Sequence, residues 1–194
     1  GLPAPRLHET IRDFHNTAAR VRQLEVAIAR DAAGRVDAVA DDIAFARARA
    51  SLADTLPPLV ASGEIPERVT HNDTKINNVL FDRHTDEAVC VVDLDTVMPG
   101  LVLYDFGDCV RSTTCSGEED EQDLSKIHLD IELFTALTKG YLATAGAFLT
   151  DAEIVHLAFS ARLITYEIGI RFLADHLNGD TYFRVRRPNH NLDR

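Results

Sequence analysis

Arg68-Val69-Thr70-His71-Asn72-Asp73-Thr74-Lys75-Ile76-Asn77-Asn78-Val79-Leu80-Phe81 is followed, after the polar run 82–87, by Ala88-Val89-Cys90-Val91-Val92-Asp93. Short runs rich in β-branched residues, bounded by polar turn formers, read as strands. Three lie here: Arg68–Thr70, Val79–Phe81 and Ala88–Val92, the last continuously apolar and therefore expected to be buried. Asp82–Glu87 supplies the turn between the second and third. With that turn centred near His84-Thr85, antiparallel pairing sets Asn78 opposite roughly Val91, and Asn78 and Asp93 emerge at the open end of the hairpin. Asp73 precedes Asn78 in the loop that feeds the same end. Two carboxylates and an amide oxygen thus converge. Oxygen donors of this kind suit Mg²⁺, which keeps several waters and shares its shell with substrate phosphates. A neighbouring carboxylate outside the metal shell can accept a hydroxyl proton.

Outward from the hairpin the sequence turns helical. Leu7–His15 and Ala18–Ala29 place apolar residues at three-to-four spacing, a turn falls at Asp31-Ala32-Ala33-Gly34, and a third helix is expected over Val36–Leu56, ended or kinked by Pro57-Pro58. Downstream, Asp105-Phe106-Gly107-Asp108 follows Pro99-Gly100 and reads as a helix start in which Asp105 or Asp108 caps backbone amides. Helices are expected over Leu124–Ala145 and Asp151–Leu177. Thr150 and Glu153 form a capping-box pattern at the start of the latter, and Asn178-Gly179 forms its stop. Within it Glu167 and Arg171 stand four apart in the order that favours an internal ion pair. The fold class is α+β, mostly α: one domain over residues 1–194, with a small β-hairpin in its middle.

Composition narrows the function. Twenty basic against 31 acidic residues give a net charge of −11, the wrong sign for a nucleic-acid binder. No run of about 18 apolar residues occurs, so no membrane span is expected. The opening Gly1-Leu2-Pro3-Ala4-Pro5 lacks a basic segment followed by an apolar one and does not read as a secretory signal. Three cysteines, Cys90, Cys109 and Cys115, show no metal-ligand spacing and fit a reduced, cytoplasmic protein. The acidic run from Glu118 to Asp123 reads as a solvated, mobile loop. His8, His15, His128, His156, His176 and His190 form no ligand pattern and carry no assigned role.

His71-Asn72-Asp73-Thr74-Lys75-Ile76-Asn77-Asn78 resembles the His-x-Asp-x4-Asn catalytic loop of the aminoglycoside phosphotransferase and choline kinase superfamily, and Val92-Asp93-Leu94-Asp95 resembles its metal-binding Asp segment. The longer strings Thr70–Leu80, Val92–Gly100 and Tyr104–Asp108, with Tyr166-Glu167, Arg171-Phe172-Leu173 and Asn178-Gly179-Asp180, resemble bacterial N-acetylhexosamine 1-kinases. This resemblance covers most of the chain from Arg6 onward. One departure is Asn72, where the superfamily usually has Gly; Asn tolerates unusual backbone angles better than most residues.

The resemblance implies a protein-kinase-like C-terminal (catalytic) lobe acting with ATP and Mg²⁺ on a small-molecule hydroxyl, most simply a sugar. It implies Asp73 as catalytic base, Asn78 and Asp93 as metal ligands, His71 as support for the loop, and Arg171, Tyr182 and Asp95 as substrate-binding positions. A nucleotide cradle is missing from the string. No Gly-rich phosphate loop occurs, and the only lysines are Lys75, Lys126 and Lys139, none of which precedes the catalytic loop. The N-terminal nucleotide lobe is therefore expected to lie outside this chain, which alone should be inactive or very weak. The alternatives are an aminoglycoside- or choline-type kinase of the same fold, or a non-catalytic remnant that kept the motif.

Overall fold

The computed structural model describes residues 7–194; the reading of Gly1–Pro5 lies outside them. The chain runs α1 (Thr17–Arg30), α2 (Ala40–Arg47), α3 (Leu56–Ala61), β1 (Arg68–Thr70), β2 (Val79–Phe81), β3 (Ala88–Val91), β4 (Met98–Gly100), α4 (Val102–Thr113), α5 (Ile131–Ala145), α6 (Asp151–Leu177) and α7 (His190–Asp193). Short 3₁₀ turns link several of them.

The 27-residue α6 is the spine, packed against α4 on one side and α1 on another. Its start is the expected capping box. Thr150 Oγ1 accepts from the Glu153 N–H, and the Glu153 carboxylate accepts from the Thr150 N–H. That same fully buried carboxylate also takes a bidentate pair from Arg68 of β1, at 3.0 and 3.1 Å, so one residue closes a helix and anchors the first strand to it. Gly179 follows the helix at φ +92°, the left-handed stop that glycine adopts without strain. Phe106, Leu103 and Ile164 lie fully buried in the core, which Leu24, Ile65 and Leu177 extend. At the α4–α6 crossing Gly107 lets the two backbones touch: a Cβ there would sit 2.5 Å from the Ser160 carbonyl oxygen.

The sheet content is two antiparallel pairs, β1 with β4 and β2 with β3. In the hairpin Val79 pairs with Val91 and Leu80 with Cys90; an irregularity then sets Phe81 opposite Ala88. The register is thus one residue from the expected one, with Asn78 opposite Val92 through the Val92 N–H to Asn78 carbonyl bond of 2.9 Å.

Several local expectations are corrected. Leu7–His15 is not helical: Asp13 takes a positive φ of 55°, and His15 is held by partners far along the chain. The expected helix Val36–Leu56 is broken into 3₁₀ and α pieces. Pro57-Pro58 opens α3 rather than ending a helix, because the first turn of a helix needs no N–H from them. Leu124–Ala145 divides into a 3₁₀ turn at Leu124–Lys126 and α5. Strand β3 is exposed along its whole length rather than buried. The acidic run is tied down, with Glu119 facing Arg111 and Arg194, and Asp120 facing Arg187 and His190.

Candidate active site

Between β1 and β2 the chain turns sharply, and the turn is built from its own polar atoms. Asn72 sits at φ 65° and is buried. Its Oδ1 accepts from Thr70 Oγ1 at 2.9 Å, and its Nδ2 donates to the carbonyl of Thr96 at 3.0 Å. Asn thus supplies both a tolerated left-handed backbone and the side-chain bonds that hold it. Gly100 of β4 leaves room for this knot: a Cβ there would lie 2.6 Å from Asn72 Oδ1 and clash with Thr70 Oγ1.

Two further groups fix the loop from behind. Asp105, in the first turn of α4, accepts from the backbone N–H of His71 at 3.0 Å and of Asn72 at 2.7 Å, while its carbonyl accepts from Thr74 Oγ1 at 2.5 Å. The expected capping role is therefore real, but the amides belong to the loop after β1 instead of to α4. Burial pushes the Asp105 carboxyl upward, and the two N–H donors pull against that shift. His15 places Nε2 at 2.9 Å from the Asn72 carbonyl and Nδ1 at 2.8 Å from the Glu167 carboxylate. Both contacts are with oxygens that can accept, a set that suits a doubly protonated ring. Burial lowers its pKa, but the Glu167 hydrogen bond and charge, with the Asn72 carbonyl, outweigh that and leave it raised.

His71 turns back across the hairpin. Its Nε2 lies 3.0 Å from the Val92 carbonyl, which makes Nε2 the protonated nitrogen and Nδ1 the acceptor of the Asp73 N–H at 3.3 Å. Asp73 Oδ2 accepts from Lys75 Nζ at 2.7 Å and Asn78 Nδ2 at 2.9 Å. Its Oδ1 has no hydrogen-bond partner among the described residues. Asn78 is buried and also donates Nδ2 to the Asp73 carbonyl at 2.8 Å, which leaves Asn78 Oδ1 as a free acceptor. Asp93, one residue past the partner of Asn78, stands exposed at φ 64° with no side-chain hydrogen bond. Asp73, Asn78 and Asp93 thus share the open end of the hairpin.

Among the described residues no cluster of three or more His, Cys, Asp or Glu could enclose a metal ion. One amide oxygen and one carboxylate fit instead a Mg²⁺ whose shell is completed by phosphate oxygens and water. Asp95 is exposed, and its carbonyl accepts from Thr10 Oγ1. Arg171 and Tyr182 line a groove between α1 and α6 that does not include Asp73; Phe14, on its border, also lines a neighbouring groove with Asn72. The expected Glu167–Arg171 pair is absent, since Glu167 is occupied by His15 and Thr17.

Lys75 and His15 were not among the expected site residues. Lys75 sits inside the motif and only its neighbour Asp73 reveals its contact. His15 lies far from the motif in sequence, and nothing in its own surroundings signals the contact. Residues 3–142 match the model described as phosphotransferase enzyme family (APH), a span that includes the whole loop, the hairpin and α4. A match over more than half of the 194 residues shows the family, and the chain belongs to the phosphotransferase enzyme family.

Proposed function

We propose that this chain is the catalytic, acceptor-binding lobe of an ATP-dependent kinase whose acceptor is a sugar of the N-acetylhexosamine class, phosphorylated at its anomeric hydroxyl. The observation that carries this reading is the asymmetric holding of Asp73: Oδ2 is anchored by Lys75 and Asn78 while Oδ1 is open. A carboxylate held on one oxygen presents the other in a fixed direction, which is what orienting an attacking hydroxyl requires. Asp73 would accept the hydroxyl proton as the acceptor oxygen bonds to the γ-phosphorus of ATP and the bond to the β,γ-bridging oxygen breaks, releasing ADP. His71, through Val92, keeps the loop and the hairpin in register. Asn78 Oδ1 and the Asp93 carboxylate would hold Mg²⁺, which when bound neutralises charge on the nucleotide phosphates. Arg171, Tyr182 and Asp95 are the proposed acceptor contacts.

The nucleotide lobe is proposed to come from outside this chain. Leu80, Phe81, Val89, Val91 and Leu94 leave about half or more of their surface exposed on the hairpin and just past it, at 49, 50, 63, 52 and 59 %. So large an apolar surface beside a phosphotransfer site suits a covering lobe and a nucleotide base. By itself the chain would transfer phosphate weakly or not at all. Its three free cysteines fit a reducing compartment, the cytoplasm.

The test is an acceptor panel with Mg²⁺·ATP on the complete protein that carries this chain, read by ³¹P NMR. An anomeric phosphate on N-acetylhexosamine is the expected product. Phosphorylated aminoglycoside or choline would reassign the acceptor, and no product with any hydroxyl compound would favour a non-catalytic remnant.

A further inference from the structure

A groove of about 660 Å³ runs between α1, the C-terminal half of α6 and the 181–183 segment. Its volume lies within the range of small-molecule sites, ~300–1,000 Å³. In a chain of net charge −11 its lining is the reverse sign: Arg12, Arg20, Arg22, Arg30 and Arg171 against one acid, Asp175. Asp175 cannot neutralise them. It is buried, and its two oxygens already accept from the backbone N–H groups of Thr181, Tyr182 and Phe183 and from Asn191 Nδ2.

The two inner arginines have no carboxylate within salt-bridge reach among the described residues. Arg20 donates only to neutral oxygens, the carbonyls of Asp13 and Phe14 and Gln23 Oε1, and its buried Nε has no partner. Arg171 lies between two aromatic rings, its guanidinium carbon 5.5 Å from the Phe14 centroid and 5.5 Å from that of Phe183. The Tyr182 hydroxyl lies beside the guanidinium, and the N–H groups it does not use can meet an oxyanion. Burial, then the like charge of Arg20, lower the Arg171 pKa; Glu167 behind it only partly offsets this. Desolvated like charges held close together are costly unless an anion joins them.

We infer that this groove is an anion site, which receives the phosphate or carboxylate group of a small molecule between Arg171 and Arg20. The inference does not rest on the proposed kinase reading: an N-acetylhexosamine carries neither group, so the anion belongs to a separate effector. The site itself stands on the unneutralised arginines.

Inorganic phosphate is the probe. The full chain is titrated at constant ionic strength balanced with chloride, and the arginine Nε–H signals are followed by ¹H–¹⁵N NMR. Saturable binding is expected, with a Kd on the order of 1 mM and shifts at Arg171 and Arg20. Arg171→Met should weaken it about tenfold or more, the loss expected for one charge-assisted bidentate contact. Arg171→Lys should recover part of that loss. Arg22→Gln, a change at an exposed position that spares Arg20's support of the Asp13–Phe14 backbone, gives a second variant that folds independently of the first. It should weaken binding by a smaller factor. Asp73→Asn should leave phosphate binding unchanged, so loss of transfer activity and loss of the anion site are separable. Competition by N-acetylhexosamine would show that the effector's anion and the acceptor overlap at Arg171, and its absence would show that the two sites are separate. Equal effects of phosphate and chloride, unchanged binding in Arg171→Met, or loss of binding in Asp73→Asn would each overturn the inference.

Discussion

The Asp105 carboxylate accepts a 2.7 Å hydrogen bond from the backbone N–H of Asn72, and its other oxygen holds the N–H of His71. One side chain at the start of α4 therefore fixes the two peptide units that lead into Asp73. Asp105→Asn retains a single acceptor oxygen and turns an NH₂ group toward the second N–H. Losing a buried, charge-assisted hydrogen bond costs about 1.5–3 kcal/mol. Urea denaturation should show a loss in that range, and turnover should fall with it because the loop before Asp73 loosens.

His15 gives a pH dependence of defined sign. Its folded pKa is raised: burial opposes the charge, but Glu167 and the Asn72 carbonyl prevail. Its contribution to stability is thus fully present below the unfolded value of about 6.5 and is lost as pH rises through the raised folded value. His176 shifts the other way, lowered by burial and by Arg35, so the whole-protein curve mixes the two. The difference between wild type and His15→Gln isolates the first. Unfolding free energies across neutral to mildly alkaline pH should fall more steeply in wild type than in the variant. Parallel curves would show that His15 is neutral in the folded protein.

How much of this was legible depended on how local the cause was. The Thr150–Glu153 capping box and the Gly179 stop are decided within one helical turn, and both appear as expected. The hairpin was legible from its β-branched runs. Its register was off by one because the irregularity at Leu80/Phe81 inserts a residue that no pattern marks. β3 looked buried because every residue is apolar, yet burial depends on what covers a strand, and nothing among the described residues covers this one. Spacing anticipated the contact of Asp73 with Asn78 at the hairpin's open end, where Asp93 follows Val92, the backbone partner of Asn78. It did not anticipate the loop contacts of His15 and Asp105, which join positions that only the packing of α1, α4 and α6 brings together.

Gly107 is a point of close backbone approach in the α4–α6 contact, with a hypothetical Cβ 2.5 Å from a backbone oxygen and 2.9 Å from the Ile164 side chain. Backbone cannot move aside as a flexible side chain can. Gly107→Ala should cost about 1–3 kcal/mol, the range of overpacked cores, even though Ala is the better helix former. A thermal melt at or above the wild-type midpoint would show that the helices shift apart without penalty.

With Asn78 and Asp93 as the proposed direct ligands from the protein, Mg²⁺ should bind this chain weakly, since phosphates and water complete such a shell. Calorimetry should find a Kd no tighter than about 1 mM, or roughly 4 kcal/mol. Tight binding without nucleotide would mean that ligands beyond these two take part.

Asp73 as the group that orients and deprotonates the acceptor is the central claim, and Asp73→Asn in the complete protein tests it most directly. The substitution keeps the size and the hydrogen-bond reach of the side chain while removing charge and basicity. It also leaves Asn78 and Asp93 in place for the metal. Steady-state assays with N-acetylhexosamine should show kcat lower by roughly two to four orders of magnitude, the usual range for a positioned acid or base, with nucleotide affinity little changed. Asp93→Asn should differ by weakening Mg²⁺·nucleotide binding along with turnover. A kcat for Asp73→Asn close to the wild-type value, with this acceptor and with every other that the protein phosphorylates, would contradict the account.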